Sequence, residues 1–108
     1  MIAVIFELWP AEGRADDYFA LAAALKPRLE KIDGFISVER FASLNEQGKF
    51  VSISFWRDEE AVRRWRSDLE HRGAQISGRG GIFRDYRLKV ASVLRDYGPN
   101  DRSQAPGP

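Results

Sequence analysis

The chain has no cysteine, one histidine and one methionine among 108 residues. Without cysteine there is no disulfide framework, no thiolate metal site and no cysteine nucleophile, a composition that fits a cytoplasmic protein. A single histidine leaves too few nitrogen ligands for a metal centre, and no spaced set of carboxylates replaces them, so no metal is expected. An excess of one charge is missing as well. The 17 basic and 16 acidic residues leave a formal charge of +1, so no global field draws the chain to nucleic acid or a membrane surface. The apolar N-terminal stretch MIAVIFELW is far shorter than the ~20 residues of a membrane span. It also lacks the basic residues and small-residue cleavage pattern of a leader, so it reads as a strand. No serine stands in the G-x-S-x-G elbow of a serine hydrolase.

One glycine-rich stretch is present, Ser77-Gly78-Arg79-Gly80-Gly81. Phosphate loops of the dinucleotide type follow a strand and open a helix; this one follows a helix and opens a strand, and Phe83 stands where that motif needs glycine. It reads as a connection.

Periodicity orders the rest. Ile2, Val4, Phe6 and Leu8 alternate with Ala3, Ile5, Glu7 and Trp9, two sets almost equally apolar, which predicts a strand covered on both faces and ended by Pro10. Tyr18, Ala22, Leu25, Leu29 and Ile32 fall on one side of a helix over 14–32, with Pro27 pointing outward and Asp33-Gly34 closing it. Strands follow at 35–44 and 49–57, joined through Asn45-Glu46-Gln47-Gly48. In the second of them Val51, Ile53 and Phe55 predict a core face, and Ser52, Ser54 and Trp56 a small hydroxylic one. Asp58-Glu59-Glu60 opens a second helix with Ala61, Val62, Trp65 and Leu69 on its buried side. Inside it Ser67-Asp68-Leu69-Glu70 matches a capping box, which predicts a break and restart just before His71. Residues 82–95 form a last strand of about fourteen residues against a usual ~5–6, so part of it is expected to pair with another subunit, with Leu88 and Val90 among the covered positions.

The order is β-α-β-β-α-β, an α+β ferredoxin-like domain over 1–97 with a four-stranded antiparallel sheet and both helices on one face. A second copy's sheet is the economical cover for the other face, giving a homodimer built as an α/β barrel. The tail 98–108, GPNDRSQAPGP, has little apolar surface to bury and is expected to be disordered.

Three stretches carry a resemblance: IDGFISVERF at 32–41, ISFWRDEEAVRRW at 53–65 and EHRGAQ at 70–75. With the element order, they resemble the antibiotic biosynthesis monooxygenase domain family over about residues 1–97. The resemblance implies a dimeric α/β barrel with a pocket in each subunit between helices and sheet. It also implies one of three functions. The first is a monooxygenase that oxidises a small aromatic or quinone-type compound without a cofactor. The second is a protein that binds or degrades haem, and the third a dimeric small-molecule binder without turnover. The haem-degrading branch is similar in having Trp65 and His71, at a shorter separation, and departs from this chain in its first-strand Asn, where Phe6 and Glu7 stand here.

For the cofactor-free reaction the chemistry assigns aromatic walls to Trp65, Trp56, Phe6 and Tyr86. His71, with an ordinary pKa near ~6.5, accepts the substrate's proton, and Arg64 or Arg72 holds the resulting anion. His71 shares a polar helical stripe with Arg64, Asp68 and Gln75. A purely structural hydrogen bond near the helix end is the competing role for it.

Overall fold

The computed structural model describes residues 1–77 and 81–107, with side chains for all of these except 71–77. The described residues run β1 (Ile2–Pro10), α1 (Ala15–Leu29), β2 (Phe35–Ala42), β3 (Phe50–Trp56), α2 (Glu59–Ser77) and β4 (Phe83–Ser92). All pairings are antiparallel, in the order β2-β3-β1-β4. This is the ferredoxin-like arrangement that the element order predicts. No helix among the described residues is long and apolar enough to cross a membrane.

β1 lies in the interior of the sheet, with β3 on one side and β4 on the other. Antiparallel partners share a face. Ile2, Val4, Phe6 and Leu8 therefore lie in rows with Trp56, Ser54, Ser52 and Phe50 of β3, and with Ser92, Val90, Leu88 and Tyr86 of β4. This is the face that meets the helices. Leu29, Trp56, Ala61 and Val62 form a buried cluster on it, with Ile2, Val4, Ile32, Phe35, Val38 and Trp65 packed around them. The hydroxylic side of β3 thus lies beneath the helices, while Val51, Ile53 and Phe55 face the other way, the reverse of the expected assignment. Alternation separated the two sets correctly; only the docking of the helices decided which set they cover.

Two strand irregularities move aromatic rings onto the helix side. In β2 the register shifts between Phe35 and Ser37, so Phe35 opposes Trp56 while Val38 opposes Ser54. The extra residue, Ile36, lets Phe35 share a face with Val38. A second shift sits at Trp9/Pro10, where Pro10 opposes Phe83 although Trp9 opposes Asp85. It brings Phe83 to the same side as Phe6 and Tyr86.

The helices depart from expectation in two places. α1 closes at Leu29, short of 32: Glu30 N donates to Lys26 O at 3.0 Å, and Lys31 and Ile32 then donate to Arg28 and Leu29 at 3.1 Å. The tighter last turns still deliver Ile32 to the core. Pro27 is exposed, as its spacing predicts. α2 runs without a break through Ser67–Glu70. Its cap is already supplied at its start, where the Asp58 carboxylate accepts the Ala61 N–H at 2.9 Å. Asp68 is engaged elsewhere, accepting two N–H bonds from Arg28 of α1 at 2.9 and 3.3 Å.

β4 is ten residues long rather than fourteen, and β1 pairs with it from Ile2↔Ser92 to Pro10↔Phe83. A first strand of nine residues takes up that length within the chain, so the expected overhang does not arise. Leu88 and Val90 point to the helix side at the sheet's edge and are exposed. Beyond the strand the chain turns back on itself, with Gly98 N on Asp101 O at 2.8 Å and Asp96 N on the Gln104 side chain at 2.9 Å.

Candidate functional site

Read across the sheet, the helix-side face has four rows. One is Phe35, Trp56, Ile2 and Ser92; the opposite one is Ala42, Phe50, Leu8 and Tyr86. The two between are Val38, Ser54, Val4, Val90 and Arg40, Ser52, Phe6, Leu88. Large rings therefore close both ends of a strip that is mostly short side chains. At one end the Phe35 and Trp56 rings are 5.3 Å apart. At the other Phe83 lies 5.7 Å from Phe6, 5.8 Å from Tyr18 and 6.2 Å from Tyr86, and Phe50 lies 6.5 Å from Tyr18. α1 spans the strip, with Tyr18 in the second ring cluster and Leu29 in the first. Val4, Ser52 and Ser54 on the middle strands keep the sheet surface low between the two ring clusters.

Polar groups on this surface are few. Trp56 is 1% exposed, and its Nε1–H donates to Ser54 Oγ at 2.9 Å, so Ser54 is satisfied by the core. Ser52 makes no side-chain hydrogen bond among the described residues. Arg40 is the one charged side chain on the helix-side face of the described strands. It stands near enough to the Tyr18 phenol to act on it by charge. Burial pushes the Tyr18 phenol above its ordinary value, and the nearby Arg40 only partly offsets this.

The residues assigned from sequence fall into separate groups. Phe6 and Tyr86 stand together with ring centroids 5.7 Å apart, and Tyr86 is exposed. Trp56 is in the core, with Trp65 partly buried against the same cluster. Four residues along β3, about 13 Å at a strand's rise, separate Trp56 from Ser52 in the row of Phe6. Arg64 is exposed near the start of α2, with Nη1 3.3 Å from the Asp33 carbonyl. That puts it in a surface ion cluster with Asp33, Arg57 and Asp58. His71 and Arg72 belong to α2, but their side chains lie outside the described residues, as do residues 78–80 of the glycine-rich connection. No cluster of His, Cys, Asp or Glu able to hold a metal occurs among the described residues.

Sequence reasoning missed Tyr18, Arg40 and Ser52 as a group. Tyr18 was visible only as the first residue of a helical stripe. Arg40 was hidden by the shift at Ile36, because strict alternation from Phe35 places it on the opposite face.

The family model for antibiotic biosynthesis monooxygenase matches residues 1–76. The chain belongs to this family. It is 44% identical over 101 residues to the jasmonate monooxygenase ABM of Pyricularia oryzae, an alignment covering 94% of this chain and 47% of that protein. The chain spans about half the length of the curated relatives it matches. Among solved structures, Rv0793 of Mycobacterium tuberculosis superimposes with a TM-score of 0.75 at 20% identity, covering 90% of this chain and 98% of that one. SnoaB, a cofactor-independent oxygenase from Streptomyces nogalater, does so with a TM-score of 0.70 at 13% identity, covering 88% and 95%. At such identities the likeness is one of fold. The Gly-Phe entry to β2 has a local reason in this family member. Gly34 is at φ +93°, a conformation that L side chains rarely adopt, and it passes directly over Ala61 of α2.

Proposed function

We propose that the protein is a monooxygenase that binds a small ring compound on the strip between α1 and the sheet and inserts one atom of dioxygen into it. The observation that carries this reading is the strip itself, short side chains on β1 and β3 between two ring clusters on the helix-covered face. The 44% identity to a jasmonate monooxygenase supports it and makes jasmonate, a cyclopentanone carboxylic acid, the first substrate to try; phenolic rings are the second class.

The electron balance separates the two classes. Converting a phenol to a quinone lets the substrate supply all four electrons that reduce O2, with one oxygen entering the ring and the other leaving as water. Hydroxylating a saturated carbon supplies only two, so an external reductant must provide the rest. Loss of a proton from a phenol or enol raises the electron density that reacts with oxygen, and His71 is the proton acceptor in this reading.

Incubation under 18O2 with jasmonic acid or a polycyclic phenol, each with and without added NADPH, tests the proposal by mass spectrometry. One labelled oxygen in the product is expected. Binding of either compound without label incorporation would instead make the protein a non-catalytic binder, and a Soret band in the purified protein would favour the haem reading. Replacing His71 with Ala should lower turnover by about tenfold or more while leaving the urea midpoint nearly unchanged. Equal activity of the variant across the neutral range would remove the histidine from the reaction.

A further inference from the structure

Arg40 is an unusual residue to find under a helix. The face it shares with Phe6, Ser52 and Leu88 is otherwise uncharged along the described strands. A half-buried guanidinium normally finds a carboxylate, because desolvating a charge without a partner is costly. Four described arginines on or beside the helices do so: Arg14 with Asp17, Arg28 with Asp68, Arg57 with Asp33 and Asp58, and Arg63 with Glu60. Among the described residues no carboxylate pairs with Arg40.

What surrounds Arg40 are uncharged hydroxyls, which can accept from the guanidinium but bring no negative charge to it. The Tyr18 side chain is 5% exposed and carries its hydroxyl beside the guanidinium. Ser52, directly across the ladder from Arg40, has its hydroxyl uncommitted among the described residues; cross-strand neighbours have Cβ atoms only about 5 Å apart. A guanidinium and two hydroxyls have donors to spare and no anion to receive them. Next to them the Phe50 and Phe83 rings pack on Tyr18, and Phe6 packs on Phe83, so the group opens onto carbon surface.

We propose that Arg40, Tyr18 and Ser52 anchor the carboxylate of an organic-acid substrate, whose apolar body lies on the Phe6–Phe83 side of the strip. Arg40 and the two hydroxyls act as binding residues that select acids over neutral esters of the same shape. The anchor rests on the binding surface of the preceding section, but it makes a demand of its own, on charge rather than on chemistry. A planar carboxylate can take two N–H bonds from the guanidinium and retain lone pairs for both hydroxyls, which is the geometry in which arginine outperforms lysine.

The test is a binding measurement on the full chain with matched pairs: jasmonic acid with its methyl ester, and 1-naphthaleneacetic acid with its amide. Titration calorimetry gives each affinity for the unaltered protein and for Arg40→Met, Arg40→Lys and Tyr18→Phe, with circular dichroism and thermal melts as a check on folding. In the unaltered protein the acid of at least one pair is expected to bind about tenfold or more tightly than its neutral partner, as loss of a charge-assisted contact implies. Arg40→Met should abolish that preference while leaving the neutral compound's affinity in place, and Arg40→Lys should restore it in part. Tyr18→Phe, which keeps the ring contacts, should weaken the acid alone.

Equal affinities for acid and neutral partner in both pairs would overturn the anchor. So would an acid preference that survives Arg40→Met, or the absence of acid binding in both pairs. If acids bind through Arg40 but no labelled oxygen enters them, the monooxygenase reading fails and the anchor stands. If label enters a substrate whose affinity Arg40→Met does not change, the anchor fails and the monooxygenase reading stands.

Discussion

Gly34 and Ala61 hold β2 against α2 at a spacing that leaves no room for a side chain: a Cβ built on Gly34 would lie 2.6 Å from the Ala61 Cβ. The glycine carries a second constraint in its φ of +93°, and its carbonyl accepts the Arg57 N–H at 2.8 Å where β3 leads into α2. One position therefore fixes the entry to β2 and the seat of the second helix.

Gly34→Ala should destabilise the fold by about 2–4 kcal/mol, combining left-handed backbone strain with a backbone-anchored overlap. Gly13 provides the control, because it has a φ of +76° but open space around its Cβ position. Gly13→Ala should cost only about 1–2 kcal/mol, the strain alone. Urea denaturation of both variants measures the difference, and equal losses would refute the packing role of Gly34.

Stability at high pH should depend on Tyr18. Its phenol is raised above the ordinary value of 10.0, chiefly by burial, so above pH 10 the unfolded chain releases this proton while the folded chain keeps it. The contribution is fully present below pH 10 and declines as the pH rises through the folded value. Urea midpoints between about pH 9 and about pH 11 should fall more steeply for the unaltered protein than for Tyr18→Phe, which has no proton to lose there. Parallel curves would show that the phenol is not held neutral.

The helix-free face of the sheet carries Ile5, Val51, Ile53 and Phe55, together with Glu7, whose carboxyl is held below its ordinary range by Lys89 and Lys49. We propose that a second copy of the chain covers this face, so sedimentation should give twice the 12.3 kDa chain mass. Ile53→Lys should abolish that species, either as monomer or as insoluble protein, since an unpaired ammonium there costs several kcal/mol, of the order of a domain's whole ~5–15 kcal/mol. Leu88→Lys, on the exposed helix-side edge, should leave the mass unchanged. A monomer for the unaltered chain, or a dimer lost through Leu88→Lys alone, would contradict this face as the contact.

Local periodicity determined much of the fold. The near-equal faces of Ile2–Trp9 marked β1 as a strand covered on both faces, the Tyr18–Leu29 stripe marked α1, and the hydrophobic order around Ala61 and Val62 marked the buried side of α2. Each depends on side chains close in sequence, where 2-residue and 3.6-residue repeats are directly visible. Asp58 outcompeted the capping pattern at Ser67–Glu70, because an uninterrupted helix keeps the hydrogen bonds that a mid-helix restart would break.

Tertiary structure alone decided which face of the sheet the helices cover and what that face brings together. The extra residue at Ile36 turns Arg40 toward Tyr18 across β2, and the shift at Trp9/Pro10 turns Phe83 toward Phe6. A one-residue slip reverses every side chain beyond it, and neither shift leaves a local sequence signal. The Arg40–Tyr18–Ser52 group, drawn from two strands and a helix, could therefore be seen only once the register was known.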